Sequence, residues 1–246
     1  MTESAAGMVS TRVEQMKGYA GMPSLVIAVD GPAGSGKSTA ARQVAAALGL
    51  RYLDTGAMYR ALTWWLQEQQ VELTDTVAVL ARIAEPRIEV GTDPERPRIA
   101  VDGRDVAGLI RTRQVSNSVS TVAAIPQVRA LLIGGQRAII AAADTGIVAE
   151  GRDIGTVVAP DAAVKVYLTA SEEVRAQRRS ADLADGDPAA TVAAVRHEQA
   201  RRDLRDAAQM VVAADAVEID TSRLTLAEVV GQVVDLVRSR QAVPHG

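Results

Sequence analysis

A glycine-rich segment, GPAGSGKS over residues 31–38, carries the residue types with the clearest chemistry, because it fits the pattern G-x-x-x-x-G-K-[ST]. Its glycines let the backbone curl so that successive N–H groups point inward, and a helix N-terminus behind the loop adds positive charge. Lys37 can reach the β- and γ-phosphates, and the Ser38 hydroxyl is placed to hold magnesium. The segment therefore predicts a site for ATP or GTP with Mg²⁺. The predicted nucleotide-binding residues are Gly31, Pro32, Ala33, Gly34, Ser35, Gly36, Lys37, Ser38 and Thr39.

Strands and helices must hold this loop, and their pattern predicts an α/β fold. An apolar run at 25–30 (LVIAVD) precedes the loop and a helical pattern at 38–48 follows it. Further strands are predicted at 146–150 (GIVAE), 163–168 (AVKVYL) and 216–220 (AVEID), and helices at 58–69, 77–84, 130–143, 171–181, 189–206 and 226–238. Strands that alternate with helices favour a parallel sheet covered on both faces. We predict a three-layer α/β/α core of the P-loop NTPase type, with a small antiparallel insert from strands at 87–90 and 98–101.

Composition excludes several classes of site. The 246 residues include 27 Lys plus Arg and 30 Asp plus Glu, a net charge of −3, which excludes a generally basic nucleic-acid coat. The absence of cysteine and the presence of only two histidines exclude disulfides, thiolate zinc sites, cysteine nucleophiles and histidine-rich metal sites. No apolar stretch approaches the ~18 residues that span a bilayer, and residues 1–22 mix charged with small residues. We therefore expect a cytoplasmic protein with a disordered extension over 1–22, and neither nucleic acid nor membrane as a partner.

The basic residues are strongly skewed towards arginine. Only three of the 27 are lysines, so 24 are arginines. Codon usage in a GC-rich genome explains such a skew without any function, whereas a planar guanidinium also matches phosphate and carboxylate groups. The positions of the arginines must decide between these explanations.

A second group of polar residues lies in LDTGAMYR at 53–60, which should follow the second strand at its carboxyl end. Ligands of open parallel sheets bind at that edge. Two interpretations remain open: Thr55 and Arg60 belong to a binding site, or Thr55 caps a helix and Arg60 is solvated. Phosphate loops occur in signalling GTPases, motor ATPases and small-molecule kinases. An NKxD segment for guanine and a strand ending in DxxG are both absent from the sequence, which disfavours a GTPase.

Six segments, in one order, resemble those of the bacterial cytidylate kinase family. They are GPAGSGKST at 31–39, LDTGAMYR at 53–60, IRTRQVSNSVS at 110–120, PQVRALLIGGQR at 126–137, EGRDIGTVVAPDA at 150–162 and an Arg/Asp cluster at 202–206. The resemblance covers about residues 24–238 and implies transfer of the γ-phosphoryl group of ATP to CMP or dCMP. It implies one kinase domain at 23–240 and a tail at 241–246. That domain would comprise a core (24–62, 126–170 and 207–240), an insert that binds the nucleoside monophosphate (about 63–125) and a mobile lid (about 171–206).

The resemblance also implies roles for individual residues. Arg60, Arg129 and Arg152 would hold the acceptor phosphate, while Thr55, Arg111 and Ser120 line the acceptor pocket. Arg202 and Asp206 would contact its sugar or base, and Ser120 is our hypothesis for reading cytosine. The catalytic set would be Lys37, Arg152, Asp153, Arg175 and Arg179, with Arg175 or Arg179 reaching the transferring phosphate when the lid loop at 180–188 closes. The alternative for Arg129 and Arg137 is a solvated helix face.

One segment departs from the family pattern. The pattern RD..D..R is matched by Arg202, Asp203 and Asp206, but Gln209 stands in place of its final arginine. Arg201 and Arg205 are candidates to replace the missing charge. The competing hypotheses are a kinase for another nucleoside monophosphate, such as UMP or AMP, and a nucleotide-dependent switch without phosphoryl transfer. A switch would not need the acceptor arginines, and we expect a monomer that binds ATP, CMP and dCMP.

Overall fold

The computed structural model describes residues 25–183 and 191–241. The predicted N-terminal extension, residues 242–246 of the tail and most of the predicted lid loop lie outside these ranges. The strands are β1 (Val26–Asp30), β2 (Arg51–Asp54), β3 (Ile88–Gly91), β4 (Arg98–Val101), β5 (Arg104–Asp105), β6 (Ile147–Gly151), β7 (Val164–Thr169) and β8 (Val217–Asp220). The α-helices are α1 (Lys37–Leu48), α2 (Thr55–Glu68), α3 (Thr76–Leu80), α4 (Arg113–Ala123), α5 (Pro126–Ala141), α6 (Glu172–Leu183), α7 (Val192–Asp206) and α8 (Leu226–Gln241).

The main sheet has the strand order β2-β6-β1-β7-β8, and each neighbouring pair of strands is parallel. Successive residues of β1 face opposite sides because a strand alternates its side chains. Ile27 and Val29 pack with α1 and α8, whereas Ala28 packs with α2 on the other face. The sheet is therefore covered on both faces, which confirms the predicted α/β/α class.

A small second sheet has the order β3-β4-β5 and is antiparallel. It confirms the predicted antiparallel insert, and β5 extends it by a third strand that the sequence did not predict. Val101 of β4 is buried in the same apolar cluster as α2. The small sheet is thus packed against the helix that opens with the LDTGAMYR segment.

Two helices differ from the sequence prediction. The helix predicted at 77–84 ends at Leu80, and the chain continues as turns and bends up to Pro86, which disfavours helical backbone at Glu85. Residues 113–123, for which we predicted no helix, form α4 although Ser, Asn and Val are weak helix formers. Val115, Val119 and Val122 of α4 are buried, so tertiary packing stabilises this helix.

No single helix within the described ranges is long and apolar enough to cross a membrane. One sharply bent pair, Arg113–Ala123 with Pro126–Ala141, passes the test of length and composition only when the two helices are taken together.

Candidate active site

The carboxyl edge of the main sheet borders a cavity of about 270 Å³. Loops after β1, β2 and β6 meet here because parallel strands place the segments that follow them at one edge. The predicted site residues that line the cavity are Ala33, Gly34, Gly36, Lys37, Ser38, Thr39, Thr55, Arg60, Arg111, Ser120, Arg129, Arg152, Asp153, Arg179, Arg202 and Asp206. Gly31, Pro32, Ser35 and Arg175 are not among the lining residues. The structure thus brings most of the predicted set into one cavity.

The phosphate loop is held from behind by other parts of the fold. Gly34 has a φ of +80°, and a Cβ built on it would lie 2.8 Å from the backbone oxygen of Arg175. Only glycine fits that position without strain. The Thr221 hydroxyl donates to the backbone oxygen of Ser35 at 3.0 Å, and Lys37 Nζ donates to the backbone oxygen of Pro32 at 3.2 Å. The loop is therefore closely fixed before any phosphate binds.

Carboxylates crowd the position of the Ser38 hydroxyl. Ser38 Oγ donates to Glu150 Oε1 at 2.6 Å, and the Tyr52 hydroxyl donates to the same oxygen at 3.4 Å. Burial and the nearby charge of Asp54 raise the pKa of Glu150 to about 7. Burial lowers the pKa of Lys37, and the charge of Glu150 opposes that change. Oxygen donors therefore stand beside the phosphate-binding lysine.

Two arginines in the cavity have no carboxylate partner in the described part of the chain. Arg60 donates to neutral oxygens, the Ser116 hydroxyl at 2.7 Å and the Ile110 carbonyl at 3.3 Å. Burial and the nearby Arg202 lower the pKa of Arg60 to about 9. Burial and Arg152 likewise lower the pKa of Arg202 to about 10. Buried like charges of this kind are stabilised by an anion, so the cavity favours an anionic ligand.

Other arginines at the cavity are held by carboxylates. Arg129 Nη2 forms a short ion pair with Asp153. Arg152 lies 2.9 Å from a carboxylate oxygen of Asp206 and 4.0 Å from one of Asp203. Such contacts orient a guanidinium before a ligand arrives. These arginines therefore occupy fixed positions at the cavity.

The two hydroxyls predicted for the acceptor pocket are both buried at the cavity. Asp54 caps α2 by accepting the N–H of Ala57 at 2.9 Å, so the alternative that Thr55 is the cap is wrong. Thr55 Oγ1 instead donates to the backbone oxygen of Glu150 at 2.7 Å. Ser120 Oγ has no hydrogen-bond partner among the described residues. A buried hydroxyl without a partner is costly, so a ligand group is expected to satisfy it.

The predicted lid arginines occupy different places. Arg179 lines the cavity and donates to the Ser116 hydroxyl at 3.2 Å. Arg175 is buried, and its Nη1 donates to Asp203 at 2.6 Å and to the backbone oxygen of Ala33 at 3.1 Å. Of the pair predicted to reach the transferring phosphate, Arg179 is thus the one at the cavity, whereas Arg175 braces the phosphate loop.

The structure also shows where three further groups from the sequence analysis lie, namely Arg137, Gln209, and Arg201 with Arg205. Arg137 is exposed on α5, which agrees with the alternative of a solvated helix face, and it donates to the backbone oxygens of Val157 and Val158. Gln209 lines the active-site cavity. Arg201 and Arg205 line a different cavity, so neither supplies at Gln209 the charge that the family arginine would carry.

Several lining residues were absent from the predicted set, chiefly Asp54, Tyr59, Glu150 and Asp182. Asp54 is the last residue of β2 and Glu150 the last but one of β6, both at the ligand-binding edge. Their position at the carboxyl ends of strands was a usable signal. Nothing in the local sequence marks Asp182.

A parallel α/β sheet with a phosphate loop after its first strand, and arginines gathered at the same edge, defines a P-loop nucleotide-binding protein of the kinase type. The model of the cytidylate kinase family matches residues 27–239. The chain belongs to the cytidylate kinase family.

Individual relatives agree over nearly the whole chain. The cytidylate kinase of Streptomyces avermitilis is 48% identical over 221 residues, covering 90% of this chain and 96% of that protein. The cytidylate kinase of Streptomyces coelicolor is 50% identical over 220 residues, covering 89% and 95%. Among solved structures, shikimate kinase from Acinetobacter baumannii in complex with shikimate aligns with a TM-score of 0.46 and 15% identity, covering 93% of this chain and 99% of that one.

Proposed function

We propose that this protein transfers the γ-phosphoryl group of ATP to CMP or dCMP, giving ADP and CDP or dCDP. One observation carries the proposal: the phosphate loop and the acceptor arginines Arg60, Arg129 and Arg152 line the same cavity from different elements. Donor and acceptor phosphates would therefore meet within one site. Membership of the cytidylate kinase family supports this choice of acceptor.

The chemistry requires charge stabilisation more than a protein nucleophile. The acceptor is a phosphate monoester that is already anionic near neutral pH, so its own oxygen attacks. The obstacle is the repulsion between two anionic groups that must be brought into line. Lys37 would hold the donor phosphates and Arg60 with Arg152 the acceptor phosphate. Arg179, which lines the cavity, would offset charge on the group in transfer, while Arg175 positions the phosphate loop.

Magnesium fits the oxygen donors beside Lys37. Ser38 Oγ and Glu150 Oε1 are 2.6 Å apart, and a divalent cation would stabilise the charged form of Glu150, whose pKa is raised by burial and by the nearby charge of Asp54. Mg²⁺ usually binds one or two protein groups together with phosphates and waters. No cluster of three acidic or histidine side chains able to hold a metal occurs in the ranges 25–183 and 191–241. When bound, the ion neutralises charge on the β- and γ-phosphates. We propose Ser38 as its ligand, oriented by Glu150.

Recognition of cytosine is proposed to use the unpartnered hydroxyl of Ser120. Cytosine presents an amino donor beside ring and carbonyl acceptors, whereas uracil presents a carbonyl and an N–H. Ser120 lies at the same cavity as the Arg129–Asp153 pair, which adds donors and acceptors. A pocket that pairs with cytosine would leave groups mispaired against uracil, and such mispairing discriminates strongly.

The decisive experiment is a coupled assay for ADP release with CMP, dCMP, UMP and AMP as separate acceptors. We expect release that depends on CMP or dCMP and is lost in Lys37→Ala, since the lysine is proposed to hold the donor phosphates. Turnover with UMP or AMP instead would favour a kinase for another nucleoside monophosphate. Hydrolysis without any acceptor would favour a nucleotide-dependent switch.

The remaining expectations from the sequence stay predictions. They are a monomer, a cytoplasmic location, a role in pyrimidine nucleotide metabolism and, as partners, small nucleotides in place of nucleic acid or membrane. Sedimentation with and without ATP and CMP tests the first of these directly.

A further inference from the structure

A second cavity, of about 530 Å³, lies between α4 and α7. We call it the α4–α7 groove, and its lining is Arg113, Asn117, Ala194, His197, Glu198, Arg201, Arg202 and Arg205. Its volume is within the range of small-molecule sites. Arg201 and Arg205, which do not line the active-site cavity, line this groove instead.

The groove carries an excess of positive charge. It has four arginines against one carboxylate, and that carboxylate, Glu198, already accepts from Arg113 Nε at 2.8 Å. No carboxylate pairs with Arg201 or Arg205 in the part of the chain that the structure describes. Their spacing of four residues places both on one face of α7, where like charges destabilise a helix. An anion bound between them would remove this cost.

A buried arginine connects the groove to the active site. Arg202 lines both cavities, is 9% exposed, and its Nε has no hydrogen-bond partner within the described ranges. Its unused donor is available to a ligand group in either cavity. The guanidinium of Arg202 therefore borders both the active-site cavity and the α4–α7 groove.

We propose that the α4–α7 groove is a second anion site, which binds the phosphate chain of a small molecule through Arg201, Arg205 and the shared Arg202. Three guanidinium groups suit a di- or triphosphate better than a single carboxylate, because each phosphate offers several acceptor oxygens to the planar fork. Inorganic polyphosphate and the phosphate chain of a nucleotide share this chemistry.

Sharing of Arg202 gives the groove an effect on the active site. An anion in the groove and an anionic acceptor in the active site lie on either side of one cation and repel each other. Each should therefore weaken binding of the other, and the two effects must be equal because the coupling is reciprocal. This consequence rests on the proposed function, whereas the groove site itself does not.

The test is a calorimetric titration of the full-length protein with pyrophosphate, tripolyphosphate and ATP as separate probes. The variant is Arg201→Gln with Arg205→Gln, and the control is Arg196→Gln, an exposed arginine of the same helix that pairs with Glu172 outside the groove. For at least one probe we expect two classes of site in wild type and control. In the double variant one class should weaken at least about tenfold, since each charge-assisted contact contributes appreciably.

The probes separate the two sources, since binding of pyrophosphate or tripolyphosphate indicates inorganic polyphosphate and binding of ATP alone indicates a nucleotide. Identical titrations of wild type and double variant would overturn the proposal. So would a short RNA that needs both arginines while no small probe does, because the groove would then be a nucleic-acid surface. Thermal unfolding checks that the double variant is folded. Kinase turnover with CMP is measured separately, so failure of the proposed function leaves the titration interpretable.

Discussion

The unpartnered hydroxyl of Ser120 is the sharpest single-residue signal at the cavity. Its neighbours on α4 have partners, since Ser116 accepts from Arg60 and Ser118 accepts from Gln67. A buried polar atom that the fold leaves unpaired is kept at a cost in stability. Ligand binding is the simplest reason for such a group to lie in a nucleotide-sized cavity.

Ser120→Ala is expected to raise the KM for CMP about tenfold, because one hydrogen bond to the base is lost. Turnover with UMP should change little, so the ratio of CMP to UMP turnover should fall. Stability without ligand should be unchanged or slightly higher, since no internal hydrogen bond is broken. Ser118→Ala on the same helix is the control in the same assay. An unchanged ratio of CMP to UMP turnover would remove Ser120 from base recognition.

Glu150 predicts a specific dependence of stability on pH. Its pKa of about 7 in the folded protein exceeds the ordinary value of 4.5, so between these values the folded state holds a proton that the unfolded state releases. The free energy of unfolding must therefore fall as pH rises through this window, by on the order of 1–3 kcal/mol. Asp30, whose pKa burial raises to about 6, contributes with the same sign from 3.8 upwards.

Glu150→Gln keeps an acceptor for Ser38 but cannot ionise, so its stability should fall less between pH 5 and pH 8 than that of wild type. Urea unfolding at both pH values, without magnesium or nucleotide, measures the difference. Equal losses in the two proteins would show that Glu150 does not titrate in this window.

At the scale of elements, the sequence was most informative where several restraints coincide. The order of β1, phosphate loop and α1 was predictable because the motif, the apolar run and the helical pattern agree. The gathering of Thr55 and Arg152 at one edge followed from parallel strands alone. Helix α4 was not predictable in this way, because its weak helix formers are stabilised by burial of valines against distant elements.

The sequence was equally unable to predict which groups the side chains of α6 and α7 contact. Arg175 and Arg179 are one turn apart, yet one braces the phosphate loop and the other reaches the cavity. The spacing of residues indicates which face they share, but the packing of α6 against α7 decides what each guanidinium meets.

Arg175→Ala is expected to lower the free energy of unfolding by about 1–3 kcal/mol, because Asp203 loses its partner at 2.6 Å and keeps only Arg152 at 4.0 Å. The same variant should raise the KM for ATP more than that for CMP, since the lost contact is with Ala33 of the phosphate loop. Arg175→Lys should restore part of both losses. Gln177→Ala, an exposed position on the same helix, is the control for chemical unfolding and kinetics. Equal KM changes for both substrates would indicate a purely structural role.

For the whole molecule, the positions of the arginines show which of them are placed to bind phosphate and which need only the compositional explanation. Arg60, Arg111, Arg129, Arg152, Arg179 and Arg202 line the active-site cavity. Others, such as Arg87, Arg96 and Arg238, are exposed and need only the compositional explanation. A protein with a net charge of −3 can therefore hold a focused cationic cleft.

That cleft predicts how ligand changes global stability. CMP at 100 times its Kd should stabilise the protein by about 2.7 kcal/mol, which corresponds to roughly 5–10 °C in thermal midpoint for a chain of this size. The shift at fixed CMP should shrink as salt is raised, because part of the affinity is electrostatic. Arg60→Met should abolish the shift and raise the midpoint without ligand, since a partly buried cation that has no carboxylate partner among the described residues is replaced by an apolar side chain. Differential scanning calorimetry measures both quantities, and a lower midpoint without ligand would contradict the second expectation.

The close approach of Gly34 to Arg175 bears on how portable the phosphate loop is. The eight letters GPAGSGKS are a motif, but the loop that they form rests on a backbone oxygen 141 positions further along the chain. Transplanting the letters into another α/β scaffold would carry the N–H groups and the lysine but not the surface that shapes them. A graft would need α6 as well, because the loop keeps its shape only where Gly34 packs against the backbone of Arg175.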